Sequence, residues 1–542
     1  MRAAVASPLP RFHTRRVSEE ASETAVVARR AGLLALGTLG SRILGALRDA
    51  VIAATFAVAA TDAFWLAFTL PNALRVLLGE GAVSAMVVPV FTETREREGA
   101  ESARTLFARL SGTMLVVLAA VSMLGVVAAP LLVRLYAAGF DAETTAQAVT
   151  LTRWVFPYIA LMGAAALATG ALHASGRFTA PAFAPLLLKV AFFGAAFTLR
   201  EEAEALGRGA VGALALGALL GGALQLAALL PSLRGVGLLV RPRPAFGDPV
   251  VRRAFRRLAP LLAGLGVYQL NVLMSRQLAS FLPEGSLSYL FYGQRLVEIP
   301  QGMFALAIGS AALPTLAARH ARGDVEGARS LLRYGLRLAL FVAIPASVAL
   351  ALLATPMVGA LLGRGAYGPL EVAETARSLV FLAAGVWAVA AVRTVVPMFH
   401  ALGDTRSPVV ASALNLALFV GLGVGLMGPM QHAGLALAMS VAATGQLTLL
   451  LLMLRRRSGP LGLGEVGARA LRSLAAAALA GAVMDRLADA WLAAGGDGTA
   501  GTTATVLAAL GFLLAGALTY LATAAMLRAP ELRELLAATR RR

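Results

Sequence analysis

Cysteine is absent from the 542 residues, which excludes disulfide staples, thiolate metal sites and a cysteine nucleophile together. Histidine is scarce, at five residues, and none falls at metal-ligand spacing. The one lysine, Lys189, follows leucines inside an apolar run. A phosphate loop ending in Gly-Lys-Ser/Thr therefore cannot be present, and nucleotide hydrolysis by that route is excluded. Charge is the largest deficit: Asp, Glu, Lys and Arg make up 14% of the chain, against about a quarter in an ordinary soluble domain. What fills the space is apolar. Hydrophobic residues reach 58% and mean hydropathy is +0.76. Apolar runs of about 20 residues recur from Ala31 to Leu527, each long enough to cross a hydrocarbon core of about 30 Å. The composition defines an all-α polytopic membrane protein.

The net charge of +19 raises nucleic acid as a partner, but the arginines lie in short loops and tails rather than in a basic domain, so no nucleic acid partner is expected. Residues 1–30 are polar, carry Arg2, Arg11, Arg15, Arg16, Arg29 and Arg30, and lack an apolar core before a cleavage site, which reads as a retained cytoplasmic tail. Fourteen spans follow, at roughly 31–56, 62–91, 108–136, 153–173, 180–199, 208–231, 258–282, 286–317, 331–362, 376–400, 408–427, 431–454, 469–491 and 502–527. Loop charge supports the count. Loops on one side hold Arg95, Arg97, Arg104, Arg177, Arg234, Arg241, Arg243, Arg252, Arg253, Arg256, Arg257, Arg319, Arg322, Arg329, Arg406 and Arg455 to Arg457. Those opposite hold Asp141, Glu143, Glu201, Glu202, Glu284, Glu371 and Asp497. An inserted or missing span would scramble that alternation, so both termini are expected in the cytoplasm.

An internal repeat accompanies the spans. Leu172-His173-Ala174-Ser175-Gly176 with Pro181, and Phe399-His400-Ala401-Leu402-Gly403 with Pro408, stand at one offset of 227 residues, which equals six spans. Two six-helix lobes of like orientation are expected, an arrangement used by transporters that rock about a central site. The expected organisation is an N-lobe over 31–231, a basic cytoplasmic linker over 232–257, a C-lobe over 258–454, two additional helices within 455–527 and a basic cytoplasmic tail over 528–542.

Ionisable residues within spans are costly and mark function. The first span contains Ser41, Arg42, Arg48 and Asp49; seven-residue spacing stacks Ser41 over Arg48 and Arg42 over Asp49. The second contains Asp62, Asn72, Arg75 and Glu80 around Pro71, and the eighth contains Ser288, Arg295 and Glu298 ahead of Pro300. Arg48, Arg75 and Arg295 come from both halves of the repeat and can meet only in a central cavity. Arginine keeps its charge when desolvated and takes phosphate oxygens in pairs, so the implied ligand is a phosphate or pyrophosphate.

SRILGALRDAVIAATF, TDAFWLAFTLPNALRVLLGEGAVSAMVVPVF, ASFLPEGSLSYLFYGQRLVEIPQGMFALAIGSAALPTLA and FHALGDTRSP occur in the order and register of the MurJ/MviN family of lipid II flippases, which this chain resembles from about Ala31 through its twelfth span. The resemblance implies membership of the multidrug/oligosaccharidyl-lipid/polysaccharide exporter superfamily and a fourteen-helix fold. It also implies alternating-access export of undecaprenyl-pyrophosphate-linked disaccharide-pentapeptide, the peptidoglycan precursor lipid II, across the cytoplasmic (inner) membrane. By the same resemblance, Arg42, Arg48, Arg75 and Arg295 engage the pyrophosphate, Ser41, Asp62, Glu80 and Ser288 are their polar companions, and the last two helices form a groove for the prenyl tail. No cofactor and no metal are expected; membrane potential is the expected drive, the coupling ion stays open, and cell-wall synthesis proteins are candidate partners. The chain departs from the family pattern at Ser275, where many relatives carry an acid associated with a cation site, at Gln294, where aspartate is common, and at Lys189, where asparagine is usual; Arg276 is an extra basic residue. A flippase for capsule or O-antigen lipid intermediates is the alternative. A membrane enzyme would need paired carboxylates or a positioned histidine, whereas the acids here are mostly isolated and His173 and His400 sit in corresponding turns.

Overall fold

The computed structural model describes residues 37, 40–79, 82–207, 209–304, 319, 322, 324–494 and 501–534. Among these every regular element is a helix: α1 (40–55), α2 (Val58–Gly79), α3 (Ala82–Tyr136), α4 (Ala142–Val155), α5 (Tyr158–Ala174), α6 (Thr179–Thr198), α7 (Arg200–Ala205), α8 (Gly212–Gly235), α9 (Pro249–Ala279), α10 (Ser286–Phe304), α11 (Val325–Leu352), α12 (Ala354–Leu362), α13 (Pro369–Ala383), α14 (Val386–Ala401), α15 (Arg406–Met430), α16 (His432–Ser458), α17 (Gly464–Ala493) and α18 (Gly501–Met526). Nine helices among the described residues are long and apolar enough to cross a membrane, or ten if the bent pair α13 and α14 forms one span. Outside that set stand α2, α9 and α10, the helices carrying Asp62 and Arg75, Arg276, and Arg295. Residues 31–36 of the expected first span and 305–317 of the eighth lie outside the described residues.

Several spans differ in form from the sequence reading. The expected second and third spans join through α3, because the polar stretch between them is rich in helix formers and carries an Arg97–Glu93 pair at 3.1 Å one turn apart. The break falls at Gly99, whose φ of 89° interrupts the helix. The fourth span divides into α4 and α5 at Pro157, where the ring removes a backbone donor and disfavours helix in the residue before it. The ninth divides at Leu353 into α11 and α12. The tenth bends by 44° between α13 and α14. At that bend Ser440 Oγ of α16 donates to the Phe381 carbonyl at 2.6 Å, and an inserted side-chain donor of this kind opens the helical ladder.

The two turns related by the 227-residue offset are built alike. Arg177 N donates to Leu172 O and Asp404 N to Phe399 O, each at 2.8 Å. Gly176 (φ 75°) and Gly403 (φ 69°) each close the turn in the left-handed region, where a side chain would be strained. After the second turn Asp404 caps α15, accepting from Arg406 N and Ser407 N at 3.0 Å and from Ser407 Oγ at 2.7 Å, with Arg457 beside it. These hydrogen bonds hold its carboxyl below the usual range. The cap's contribution is therefore complete above the ordinary carboxylate pKa and is lost as pH falls through the depressed folded value. Asp404→Ala is expected to lower stability by about 1 kcal/mol at neutral pH, with the melting curves of variant and parent converging in acid; a constant gap across pH would refute this.

The largest cluster of buried side chains draws on both halves of the chain, from Ile52, Trp65 and Phe192 to Tyr292, Leu379 and Val386. A second cluster lies within 83–254 and a third within 328–466. The linker is docked rather than free: Arg243 N donates to Ala108 O at 2.8 Å, Ala245 N to Thr113 Oγ1 at 2.9 Å, and Asp248 both caps α9 and pairs with Arg109. Helices α17 and α18 attach through α11, with Tyr520 Oη donating to Phe341 O at 2.6 Å above Ala476, Ala477 and Ala480. The opposite face of α18 exposes Leu507, Leu510, Leu514, Leu518 and Leu521, an apolar stripe at helical spacing.

Candidate functional site: a cationic cluster between the halves of the bundle

The centre of the cluster is Asp49 of α1, which is 3% exposed beside Arg48 at 2%. Arg48 Nε donates to Asp49 Oδ1 at 2.8 Å, and a second guanidinium nitrogen of Arg48 contacts the same oxygen. Asp49 Oδ2 stands 3.7 Å from Nε of Arg295 on α10. One buried carboxylate thus lies between two arginines from opposite halves of the chain. Arg295 also pairs with Glu298 at 2.7 Å, the neighbour three residues on along its own helix. Arg75 Nε donates to Asn72 Oδ1 at 2.9 Å, and Tyr158 interacts electrostatically with both Arg75 and Arg48. Lys189 of α6 interacts with Arg48, Arg295, Arg75 and Asp49. Arg48, Arg75, Arg295 and Lys189 therefore share one electrostatic environment, and the acids within it are fewer than the cations.

Aromatic faces support the guanidiniums. The Arg48 guanidinium carbon lies 5.4 Å from the Phe192 ring centroid and 5.7 Å from that of Trp65. Trp65 stacks on Phe291 at 3.8 Å. Phe291 in turn receives Arg295 at 4.9 Å and Arg276 at 5.4 Å. Each ring face offers partial negative charge to a cation removed from water. These aromatics were not singled out from sequence, although Phe291 and Arg295, four residues apart on a helix, carry a usable signal of a shared face.

The stacking of Arg42 over Asp49 along α1 does not become a contact. Seven residues span about 10 Å of helix axis, and Arg42 instead donates to the Glu298 carbonyl at 3.0 Å. Ser41 takes part in no hydrogen bond among the described residues. Glu80 lies outside the described residues. Of the positions departing from the family pattern, Arg276 donates to Gln294 Oε1 at 3.1 Å, so two of the altered residues partner each other.

Among the described residues Asp62 and Ser288 pair with each other rather than with an arginine, and they join the two halves. Asp62 of α2 accepts from Gly285 N and Ser288 N, each at 2.8 Å. It thereby caps α10 from another helix, where a carboxylate meets unpaired N–H groups and the positive end of the helix dipole. Alongside, Thr61 Oγ1 and Ser288 Oγ are 2.9 Å apart. These two residues are themselves separated by 227 positions, so equivalent points of the repeat touch each other. The same end of the bundle holds three further junctions between the halves. Ala366 N donates to Ala54 O at 2.9 Å, Gln277 Nε2 to Leu135 O at 3.1 Å, and Gly139 N to Ser280 Oγ at 3.3 Å. A Cβ on Gly139 would meet the Phe281 backbone at 2.5 Å, so this approach requires glycine.

A helical membrane bundle whose charged residues converge between its two halves is the architecture of a membrane transporter. The comparisons identify the particular kind. A family model described as lipid II flippase MurJ matches residues 52–498. A lipid II flippase MurJ of Burkholderia cenocepacia is 33% identical over 428 residues, covering 78% of this chain and 82% of the relative. A probable lipid II flippase MurJ of Vibrio cholerae is 33% identical over 457 residues, covering 82% and 86%. The chain belongs to the lipid II flippase MurJ family, a family of transporters and not of hydrolytic enzymes. Its fold is similar to a solved structure of lipid II flippase MurJ in an inward closed conformation, with TM-score 0.74 and 22% identity over 93% of this chain and 99% of that one. It is also similar to an inward-facing MATE family transporter of the MOP superfamily, with TM-score 0.64 and 16% identity over 78% and 96%.

Proposed function

We propose that this chain moves lipid II, the undecaprenyl-pyrophosphate-linked peptidoglycan precursor, from the cytoplasmic to the outer leaflet by alternating access. The observation that supports it is the buried carboxylate Asp49 between Arg48 and Arg295 of opposite halves, with Arg75 near enough to act on the same Lys189 as both. Like charges gathered in a low-dielectric interior repel unless an anion joins them. A pyrophosphate supplies that anion, and its oxygens match the guanidinium forks. The two halves act as six-helix lobes, with α17 and α18 appended as the groove for the prenyl tail. Arginine-rich loops set both termini in the cytoplasm, so the end sealed by Asp62 faces outward and cargo is taken up from the opposite, cytoplasmic end. Outward movement of about two negative charges is favoured by an inside-negative potential, by about 2.3 kcal/mol per charge for each 100 mV. Membrane potential is therefore sufficient to drive the cycle without nucleotide.

The test is rescue of a host depleted of its own lipid II flippase, with protein level and outer-leaflet lipid II both measured. The chain is expected to rescue, and Arg48→Ala, Arg75→Ala and Arg295→Ala are each expected to abolish rescue at undiminished expression. Rescue by all three variants would refute the phosphate site. Failure of a well-inserted parent chain would move the assignment to another lipid-linked glycan.

A further inference from the structure

Lys189 is the one lysine among 48 basic residues. It lies near the middle of α6, about ten residues or roughly 15 Å from either helix end, so its four-carbon stem is too short to carry the ammonium to a headgroup layer. Its helical turn leads to Phe192, the ring against which the Arg48 guanidinium rests at 5.4 Å. Arg48, Arg295, Arg75 and Asp49 are the charged groups near enough to act on it. Among the described residues the ammonium has no hydrogen-bond acceptor and no carboxylate within ion-pair distance. A half-buried cation in the neighbourhood of three other cations has one kind of missing partner, an anion.

We propose that Lys189 is a fourth phosphate-binding cation of this site, donating to a lipid-linked diphosphate whose other oxygens are held by Arg48, Arg75 and Arg295. The proposal rests on the transport reading above and deepens it. The residue type fits the task. A guanidinium is a planar fork that takes two oxygens in one plane, whereas an ammonium is a compact charge with three rotatable donors. Where three forks already converge, the compact donor can reach an oxygen that they leave free. A diphosphate offers oxygens on two phosphorus atoms, so a fourth donor favours it over a monophosphate.

The uniqueness of Lys189 makes the test direct, because an amine-acylating reagent can modify only this side chain and the N-terminal amine. The full chain in nanodiscs is acylated, and modification at both amines is followed by mass spectrometry, the N-terminus serving as internal control. Inorganic pyrophosphate is expected to slow acylation of Lys189 at least tenfold while leaving the N-terminus unchanged, and inorganic phosphate is expected to protect far less. A polyprenyl pyrophosphate in the nanodisc bilayer is expected to protect at much lower amounts than the free ion. Protection by neither diphosphate overturns the proposal, and protection by free ions alone overturns the lipid-linked assignment. Lys189→Gln, with correct insertion verified, is expected to bind pyrophosphate about tenfold to a hundredfold more weakly, the range of one charge-assisted hydrogen bond. Unchanged affinity in that variant also overturns it. The two readings fail separately. Full rescue by Lys189→Gln in the flippase-depleted host removes Lys189 from the site and leaves the transport function standing. A parent chain that cannot rescue while pyrophosphate still shields Lys189 removes the lipid II assignment and leaves the anion site.

Discussion

Replacing Asp49 with asparagine is expected to destabilise the ligand-free protein by about 3–5 kcal/mol, the cost of stranding a buried charge by removing its partner. Asp49 is the acid that Arg48 contacts through two nitrogens and that Arg295 approaches from the other half of the chain. Arg48 is 2% exposed and has no water to replace the lost carboxylate. Its ring contacts with Trp65 and Phe192 contribute only about 0.5–2 kcal/mol each, which does not offset the loss. The companion change Glu298→Gln is expected to cost less than about 1 kcal/mol, because that side chain is 48% exposed and its pair with Arg295 is screened by water. At the proposed phosphate site, added pyrophosphate would supply the missing negative charge. It should therefore raise the thermal midpoint of Asp49→Asn by more than that of the parent, and the two curves should approach each other as pyrophosphate saturates. Equal melting of parent and variant without ligand would show that Asp49 does not neutralise the cluster, and equal shifts on adding pyrophosphate would show that the anion binds elsewhere.

The membrane class is legible in the sequence because it is written in local pattern, as are the charged spans and the 227-residue offset between the two turns. Apolar runs declare spans, and a charge within a span is anomalous without any knowledge of its neighbours. Arg295 and Glu298, three apart, could be paired on one helix from spacing alone. Which partner Asp49 takes was not legible, since helical spacing ranks Arg42 and Arg48 by position on α1 but is silent about Arg295, which reaches Asp49 only through tertiary packing. The bend between α13 and α14 is illegible for a similar reason: Ser440 opens the ladder at Phe381 from another helix 59 residues away. Lys189 was conspicuous in sequence as a lone lysine in an apolar run, yet its meaning depends on Arg48, Arg75 and Arg295 being near it, and only the fold brings them there. The contact of Thr61 with Ser288 was within reach, because positions related by the repeat offset meet wherever a pseudo-twofold axis passes between the halves. The turns at His173 and His400 carry the offset, and the same offset joins Thr61 of α2 to Ser288 of α10.

That contact offers a lock. The two hydroxyl oxygens are 2.9 Å apart, buried, and set beside the Asp62 cap that joins α2 to the start of α10. Sulfur atoms placed at these positions need move inward by less than 1 Å to reach the bonding distance of a disulfide, about 2.05 Å. The chain contains no cysteine of its own, so a Thr61→Cys/Ser288→Cys pair has no competing thiol. Oxidation of the pair is expected to hold the outward end shut and to reduce transport by at least tenfold, and reduction is expected to restore it. Thr61→Cys alone under the same oxidant should transport as the parent does. The effect should be large because the alternating access proposed above requires this end to open once per cycle, and a covalent bond cannot be outcompeted by any gain from the cargo. Weakening the same seal should act in the opposite direction on the equilibrium. Asp62→Ala removes the acceptor for Gly285 N and Ser288 N and costs the closed state about 1–2 kcal/mol, the value of a strong helix cap. That change multiplies the open population by about fivefold to thirtyfold and should speed modification of a cysteine placed at Ser280, a buried position of the same seam whose hydroxyl accepts from Gly139 N. If the oxidised pair transports at the parent rate, the two halves do not separate along this seam and the cargo crosses by another route.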